Sequence, residues 1–262
     1  MLDLESVTSP EKKLITAKRL YLDLLGVLGE KLPLKDNFPK TINFPISYCG
    51  DVVMNLEFCT SDGREREQLI AIENGLIVPK KTITGDNHEI KDDDFHRDRQ
   101  RFFGKKALFH YHLHPIEDDL DLHQQEICNT FSHGDIGLIL GSPRMSYIWG
   151  VLGSHSGTFL FQTAETKQII LSSALRSTYH YLNTLRQILK IFRNFQKDHK
   201  LKHLSNQDRV QALITSEFLP IHGGNYGLDE FVFYTYRDTD INSLKHQGYF
   251  PLTRSDLLSE AT

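Results

Sequence analysis

Residues 107–115, with the sequence Ala-Leu-Phe-His-Tyr-His-Leu-His-Pro, are the part of the chain that most restricts its fold. Residues 107–111 form an apolar and aromatic run that is typical of a β-strand. Because successive side chains of a strand point to opposite faces, His112 and His114 lie on the same face. Pro115 cannot donate a hydrogen bond to a neighbouring strand, so the strand ends there. The sequence therefore predicts a strand that carries two imidazoles on one face near its C-terminal end.

A Ser-His-Gly-Asp motif at residues 132–135 supplies a carboxylate. Ser132 is a typical N-cap residue, and the apolar residues within 136–140 predict the buried stripe of a helix. Asp135 is then expected in the first helical turn, where its carboxylate can face the strand end. Two neutral imidazoles and one carboxylate suit Zn²⁺ and leave one coordination position open for water. We therefore expect zinc to be bound by three residues: His112, His114 and Asp135.

A hydrolytic zinc site also needs a base for the bound water and a hydrogen-bond donor for the oxyanion. Residues 66–72 are strand-like, and an Asn-Gly hairpin signal and a return strand at 76–78 follow them. Glu67 opens the first of these strands and can reach a zinc-bound water from a neighbouring strand, so we expect it to be the general base. We expect Ser132 to hydrogen-bond the developing oxyanion. Three other glutamates are alternatives for the base: Glu57, Glu65 and Glu73.

These motifs together resemble the JAMM (MPN-plus) metalloproteases, a family that includes deubiquitinases and other isopeptidases. The resemblance rests on a glutamate that opens a strand, a strand that ends in Tyr-His-x-His-Pro, and a Ser-x-x-Asp motif that opens a helix. It covers residues 50–165. It implies zinc as the cofactor, and it implies the same roles for the residues above: His112, His114 and Asp135 as ligands, Glu67 as base and Ser132 as oxyanion donor.

The resemblance also implies the fold and the division of the chain. The expected fold is α/β, a three-layer α/β/α sandwich of the JAMM type, similar to the cytidine deaminases, with a helical C-terminal extension. The expected parts are an N-terminal helix and connection at 1–45 and a catalytic core at 46–165. A helical and strand extension at 166–262 is expected to pack on that core.

The period of the apolar residues, together with residues that start or end helices and strands, predicts the individual elements. Helices are expected over residues 8–29, 165–197 and 205–218, and the proline-containing residues 30–45 are expected to be a connection. The strand-like segments outside those already described are 46–48, 52–58, 147–152, 158–161 and 231–236.

Residues 116–125 lengthen the stretch between the second histidine and the serine beyond the spacing usual in the family, and they are acidic. We hypothesise that residues 116–124 of this stretch border the substrate channel and favour a basic or neutral substrate tail. His123 and His133 are alternatives for one of the metal ligands. The apolar face of the C-terminal helices is expected to pack on the core, with binding of a partner protein as the alternative.

Composition argues against several other classes of protein. A hydrophobic content of 39% and a charged content of 24% are typical of a globular protein. A net charge of −4 provides no electrostatic footprint for nucleic acid. Three cysteines are too few for a disulfide framework and are expected to be reduced thiols. The first residues do not resemble a signal peptide, and no apolar run approaches the ~20 residues of a membrane span. We therefore expect a cytoplasmic protein that binds neither nucleic acid nor membrane.

The sequence thus predicts a zinc metallopeptidase that hydrolyses a peptide or isopeptide bond at the C-terminus of ubiquitin or a ubiquitin-like protein. Two alternatives come from other classes. A non-catalytic MPN module would bind partners by its surface, but such modules typically lose the ligands that this chain keeps. A metal-dependent phosphoesterase or amidohydrolase would need further His and Asp ligands at later strand ends, and too few strands follow residue 110 to close a barrel.

Overall fold

The structure is a computed structural model that describes residues 15–85, 106–115, 146–166, 231–237 and 239–254. These ranges form a mixed α/β arrangement with one nine-stranded sheet. The helices are α1 (Ala17–Leu24), α2 (Val52–Asp62) and α3 (Ile241–Gln247). The strands are β1 (Thr41–Pro45), β2 (Arg66–Glu73), β3 (Leu76–Pro79), β4 (Ile83–Thr84), β5 (Ala107–Leu113), β6 (Ser146–Leu152), β7 (Gly157–Phe161), β8 (Val232–Tyr236) and β9 (Tyr249–Arg254). None of the helices in these ranges has the length and apolar character needed to cross a lipid bilayer.

All nine strands of the described residues belong to a single sheet. Its order is β1-β9-β8-β7-β6-β5-β2-β3, and β4 also pairs with β2. β5 and β6 are parallel, whereas the other paired strands in this sheet are antiparallel. The sheet therefore takes β1, β8 and β9 from outside the 46–165 range that the sequence assigns to the core.

The sequence predicts most of the strands correctly. The β2–β3 hairpin turns at Asn74 and Gly75, whose φ angles of 51° and 80° are both positive, as a two-residue hairpin turn requires. The strands predicted at 107–111, 147–152, 158–161 and 231–236 correspond to β5, β6, β7 and β8. The helices predicted from Ser132, over 165–197 and over 205–218 lie outside the described residues, except for residues 165 and 166.

The prediction of strands at 46–48 and 52–58 is wrong. Ile46–Tyr48 is a 3₁₀ turn, and residues 52–58 belong to the helix α2. The buried residues of α2 recur at the i, i+3, i+4, i+7 spacing of a helix: Val52, Asn55, Leu56 and Cys59. The apolar, β-branched start of this segment conceals that period, because it is equally typical of a strand.

Two boundaries near the N-terminus also differ from the prediction. Thr16 caps α1, since its hydroxyl accepts a hydrogen bond from the Arg19 N–H at 3.2 Å, and the helix ends at Leu24, well before Gly29. Within the predicted connection at 30–45, Thr41–Pro45 forms β1, which pairs with β9 and alternates exposed and buried side chains. This edge strand has only five residues, so its alternation of apolar and polar side chains is too short to predict a strand in a segment that also contains prolines.

One face of the sheet packs against the helices through aromatic rings. Phe44 is fully buried and lies edge-on to Phe109 and Phe159, with ring centroids 5.1 Å and 5.3 Å away. On the same face, Asn55 of α2 donates a hydrogen bond to the Tyr111 hydroxyl at 2.8 Å. Each aromatic pair contributes about 0.5–1.5 kcal/mol beyond the area it buries. This core fixes which face of β5 points away from the helices.

The buried thiols and phenols lead to a prediction about alkaline stability. Burial raises the pKa of Cys59 to about 12, and it raises the pKa values of Cys49, Tyr21, Tyr111 and Tyr236 well above their usual ranges. In the unfolded chain these thiols and phenols ionise near pH ~8.5 and ~10, so above those values the unfolded state holds fewer protons than the folded state. The free energy of unfolding therefore keeps its maximum contribution from these groups below about pH 8, and it falls as the pH rises through about 9–11.

Urea denaturation between about pH 8 and pH 10.5 measures this effect, and we expect the midpoint to fall steadily over that range. Tyr111→Phe removes one of the phenols, so its midpoint should depend less steeply on pH than that of the wild type. A wild-type midpoint that stays constant to pH ~10.5 would contradict the prediction.

Candidate metal site

The antiparallel pairing of β2 with β5 places three histidines and two glutamates on one face of the sheet. Glu67 lies opposite His112, and Leu69 lies opposite His110. Because side chains alternate along both strands, His110, His112 and His114 share a face with Glu65 and Glu67. Tyr111 points to the opposite face, where it contacts α2. The row of imidazoles and carboxylates therefore lies on the face away from α2.

Glu65, His112 and His114 converge at the end of this row. The Glu65 Oε2 atom lies 3.1 Å from His112 Nε2, and the rings of His112 and His114 are nearly perpendicular, with centroids 4.6 Å apart. One ligand atom from each of the three residues lies within 4.8 Å of the other two. Glu65 is buried, whereas both histidines are partly exposed. Imidazole and carboxylate groups are ligands that suit zinc, so these three residues could hold a metal ion, or the carboxylate could stand beside one bound by the histidines, and the exposure leaves the site accessible.

Backbone hydrogen bonds hold the ends of the strands that carry these residues. The His114 N–H donates to the Leu152 carbonyl at 3.2 Å, which extends the parallel β5–β6 pairing past the end of β5. The Gly85 N–H donates to the Glu65 carbonyl at 3.0 Å, beside the short β2–β4 pairing. The cluster is therefore built on paired backbone rather than on a free loop.

A network on the helix-facing side of β2 and β5 fixes the register of the two strands. The Tyr111 hydroxyl donates to Gln68 Oε1 at 2.8 Å, and Gln68 Nε2 donates to Asp51 Oδ2 and to the Lys80 carbonyl, both at 2.8 Å. Burial raises the Tyr111 pKa, although the hydrogen bond from Asn55 partly opposes this shift. The hydroxyl thus stays protonated and keeps donating across the strands at any physiological pH.

An ion pair anchors the beginning of β2 to the end of α2. Arg66 donates to both carboxylate oxygens of Asp62, at 2.8 Å and 2.5 Å, and its guanidinium lies 5.5 Å from the centre of the Phe58 ring. These hydrogen bonds from Arg66 lower the pKa of Asp62 below its usual value. Because Arg66 lies between Glu65 and Glu67 in the chain, this pair also holds the backbone from which both glutamates project.

Glu67 belongs to a separate pair within the same row. Its Oε1 atom lies 2.5 Å from His110 Nε2, and the two side chains are only 10% and 4% exposed. Trp149 packs edge-on against His110, with ring centroids 4.7 Å apart. The carboxylate of Glu67 thus contacts His110 and is not part of the cluster of Glu65, His112 and His114.

The structure separates the four glutamates that the sequence offers as the base. Glu57 lies on the exposed side of α2 and is paired with Lys245 of α3. Glu73 lies at the far end of β2 and is paired with Lys80 at 2.6 Å. Glu65, one of the alternatives to Glu67, is the glutamate that contacts the predicted ligand His112 and clusters with His114. The His110 partner of Glu67 was not among the predicted site residues, although its i, i+2, i+4 spacing with His112 and His114 was a signal for it.

The predicted residues Ser132 and Asp135 lie outside the described residues, and so do His123, His133 and the acidic stretch 116–125. Their roles stay predictions.

Comparisons of the chain with protein-family models, with curated proteins and with solved structures find no match. The function is therefore inferred from the chemistry of the site.

Proposed function

We propose that this protein is a zinc-dependent metallopeptidase of JAMM type, an isopeptidase that hydrolyses a peptide or isopeptide bond at the C-terminus of ubiquitin or a ubiquitin-like protein. One observation carries the proposal: a buried glutamate converges with both histidines of the His-x-His-Pro motif, within 4.8 Å. The histidines come from a strand end, and the glutamate immediately precedes the neighbouring strand β2, two residues before the Glu67 that the motif resemblance implies.

In this proposal His112, His114 and Asp135 would hold the zinc, and Glu65 would lie beside the metal without being one of its ligands. When bound, the metal lowers the pKa of a coordinated water to about 7 and so provides a nucleophile near neutral pH. A carboxylate beside the ligands accepts the proton of that water and then passes it to the leaving amine. Ser132 donates a hydrogen bond to the oxyanion that develops on the scissile carbonyl.

Two glutamates compete for the role of the base. Glu67 is the one that the motif order predicts, whereas Glu65 is the one whose carboxylate lies 3.1 Å from a predicted ligand atom of His112. Proton transfer requires the base to be within hydrogen-bond reach of the water, so geometry comes first in the choice. We therefore propose Glu65 as the base and retain Glu67 as the alternative.

The three-layer α/β/α sandwich is part of the same proposal. Helices α1 and α2 pack on the side of the sheet that holds Tyr111. Trp149 and Val151, which pair in register with His110 and His112, are no more than 2% exposed and so are buried on the opposite face. Burial on both faces is typical of a sheet that lies between two other layers. We propose that the predicted helices beyond residue 132 supply the second of these layers.

Metal analysis and an activity panel test the proposal. We expect the purified chain to contain one zinc per molecule by mass spectrometry, and to cleave at least one member of a panel of C-terminal fusions of ubiquitin and ubiquitin-like proteins. A chelator should abolish the cleavage, and added zinc should restore it. A purified chain that holds no metal even after zinc is resupplied would contradict the proposal. Bound zinc without any cleavage would identify a non-catalytic metal-binding module instead.

A further inference from the structure

We propose that His110 is a positioning residue that keeps the Glu67 carboxylate out of the coordination shell of the metal. The inference rests on the proposed metal site at His112 and His114. It concerns the carboxylate of Glu67, which lies opposite the predicted ligand His112 across the strands but is hydrogen-bonded to His110.

Register places Glu67 within reach of the metal site. Glu67 and His112 are direct cross-strand partners on the same face of the sheet. The Cβ atoms of such partners lie about 4.5–5.5 Å apart, and a glutamate side chain extends far enough to meet a group bound at the partner's ring. Nothing in the strand pairing by itself therefore prevents Glu67 from becoming a ligand.

The contact with His110 directs the carboxylate the other way. Glu67 Oε1 lies 2.5 Å from His110 Nε2, diagonally along β5 and away from His114. An ionised carboxylate can only accept hydrogen bonds, so the imidazole Nε2 donates. Both side chains are buried, and hydrogen bonds to a charged group are strong where little water competes for them. Trp149 packs edge-on against His110 and restricts the ring that donates.

Withholding this carboxylate matters because a hydrolytic zinc site needs an open position. Three protein ligands leave the fourth position for water, and an additional carboxylate would occupy it. Glu65 already lies beside His112 and can act as the base, so the reaction has no need of a second carboxylate, that of Glu67, at the metal. The pair of His110 and Glu67 thus preserves the water position while keeping both acidic side chains on the same face.

Cobalt substitution of the whole chain tests this, because the visible absorption of Co²⁺ changes with pH when a bound water ionises and does not when a carboxylate has replaced that water. In His110→Phe, the donor is lost and Glu67 is expected to join the metal. The Co²⁺ absorption should lose the pH dependence that an ionising bound water gives it, because the carboxylate replaces that water. The dissociation constant for Co²⁺ should fall about tenfold, a change of the size that outer-shell substitutions cause in metal affinity, and kcat should fall with little change in KM.

Two further variants isolate the cause. His110→Gln keeps an amide N–H that can donate to Glu67, so it should retain the wild-type spectrum and most of the activity. The double variant His110→Phe/Glu67→Gln removes the ionised carboxylate and should return the spectrum and the affinity toward the wild-type values. His110→Asn, which is polar but too short to reach Glu67, should behave like His110→Phe and replaces it if the phenylalanine variant fails to fold.

The inference is overturned if folded His110→Phe and His110→Asn keep the wild-type spectrum and affinity for Co²⁺. It is also overturned if the double variant differs from wild type as much as His110→Phe does, because Glu67 would then not be responsible. A wild-type chain that binds no Co²⁺ at all overturns the proposed metal site together with this inference, and so the two failures are distinguishable.

Discussion

His114→Ala is expected to remove the bound zinc and to reduce hydrolysis of the ubiquitin-like fusions to background. The imidazole of His114 is one of two neutral nitrogen ligands on the strand end, and a site with one histidine left retains too few ligands for tight zinc binding. The nucleophile depends on the metal, so the rate falls with the metal content. Zinc per chain by mass spectrometry, together with the initial rate of fusion cleavage, measures both effects.

The exposed histidine of α3 provides a matched control. His246→Ala removes an exposed imidazole from α3, a helix that contacts α2 and β9, and should leave both zinc content and rate at the wild-type level. Asp135→Ala tests the predicted third ligand in the same assay and should also lose zinc. If His114→Ala retained one zinc per chain with a folded circular-dichroism spectrum, the histidine pair would not be the metal site.

Glu65→Gln is expected to lower kcat by ~10²–10⁴, which corresponds to roughly 3–5 kcal/mol of activation free energy. Glutamine keeps the size and hydrogen-bonding shape of the side chain but cannot accept the proton of the bound water. The carboxylate of Glu65 is buried and lies 3.1 Å from His112 Nε2, which is within reach of a water held beside that ligand. Steady-state kinetics, with the zinc content measured on the same samples, provide the test.

Parallel variants determine which glutamate acts. Glu67→Gln should have a smaller effect, because its carboxylate is bound to His110, and Glu57→Gln on the exposed side of α2 should have none. Full activity in Glu65→Gln, with zinc-retaining loss of activity in Glu67→Gln, would show that the motif order predicts the base correctly. Loss of zinc in Glu65→Gln would make Glu65 a ligand. If neither substitution mattered while His114 did, the JAMM mechanism would be wrong for this chain.

The sequence predicts the strands around the site well because their signals are local. The run before the histidines, the Asn-Gly turn and the alternation in residues 66–72 are each contained in a few residues, and β2, β3 and β5 form where these signals lie. The same local reasoning fails at residues 52–58. That segment is a helix whose burial pattern becomes visible only once it packs against β2 and β5.

The chain by itself determines that imidazoles at 110, 112 and 114 share one face of a strand, and that Glu65 and Glu67 share one face of another, since this follows from the period of two. It does not determine which glutamate meets which histidine. A slip of two residues between β2 and β5 would keep every side chain on its face and exchange the partners. Only the tertiary structure settles the register, through the buried contacts of Gln68 and Tyr111, and these place Glu65 beside His112 and Glu67 beside His110.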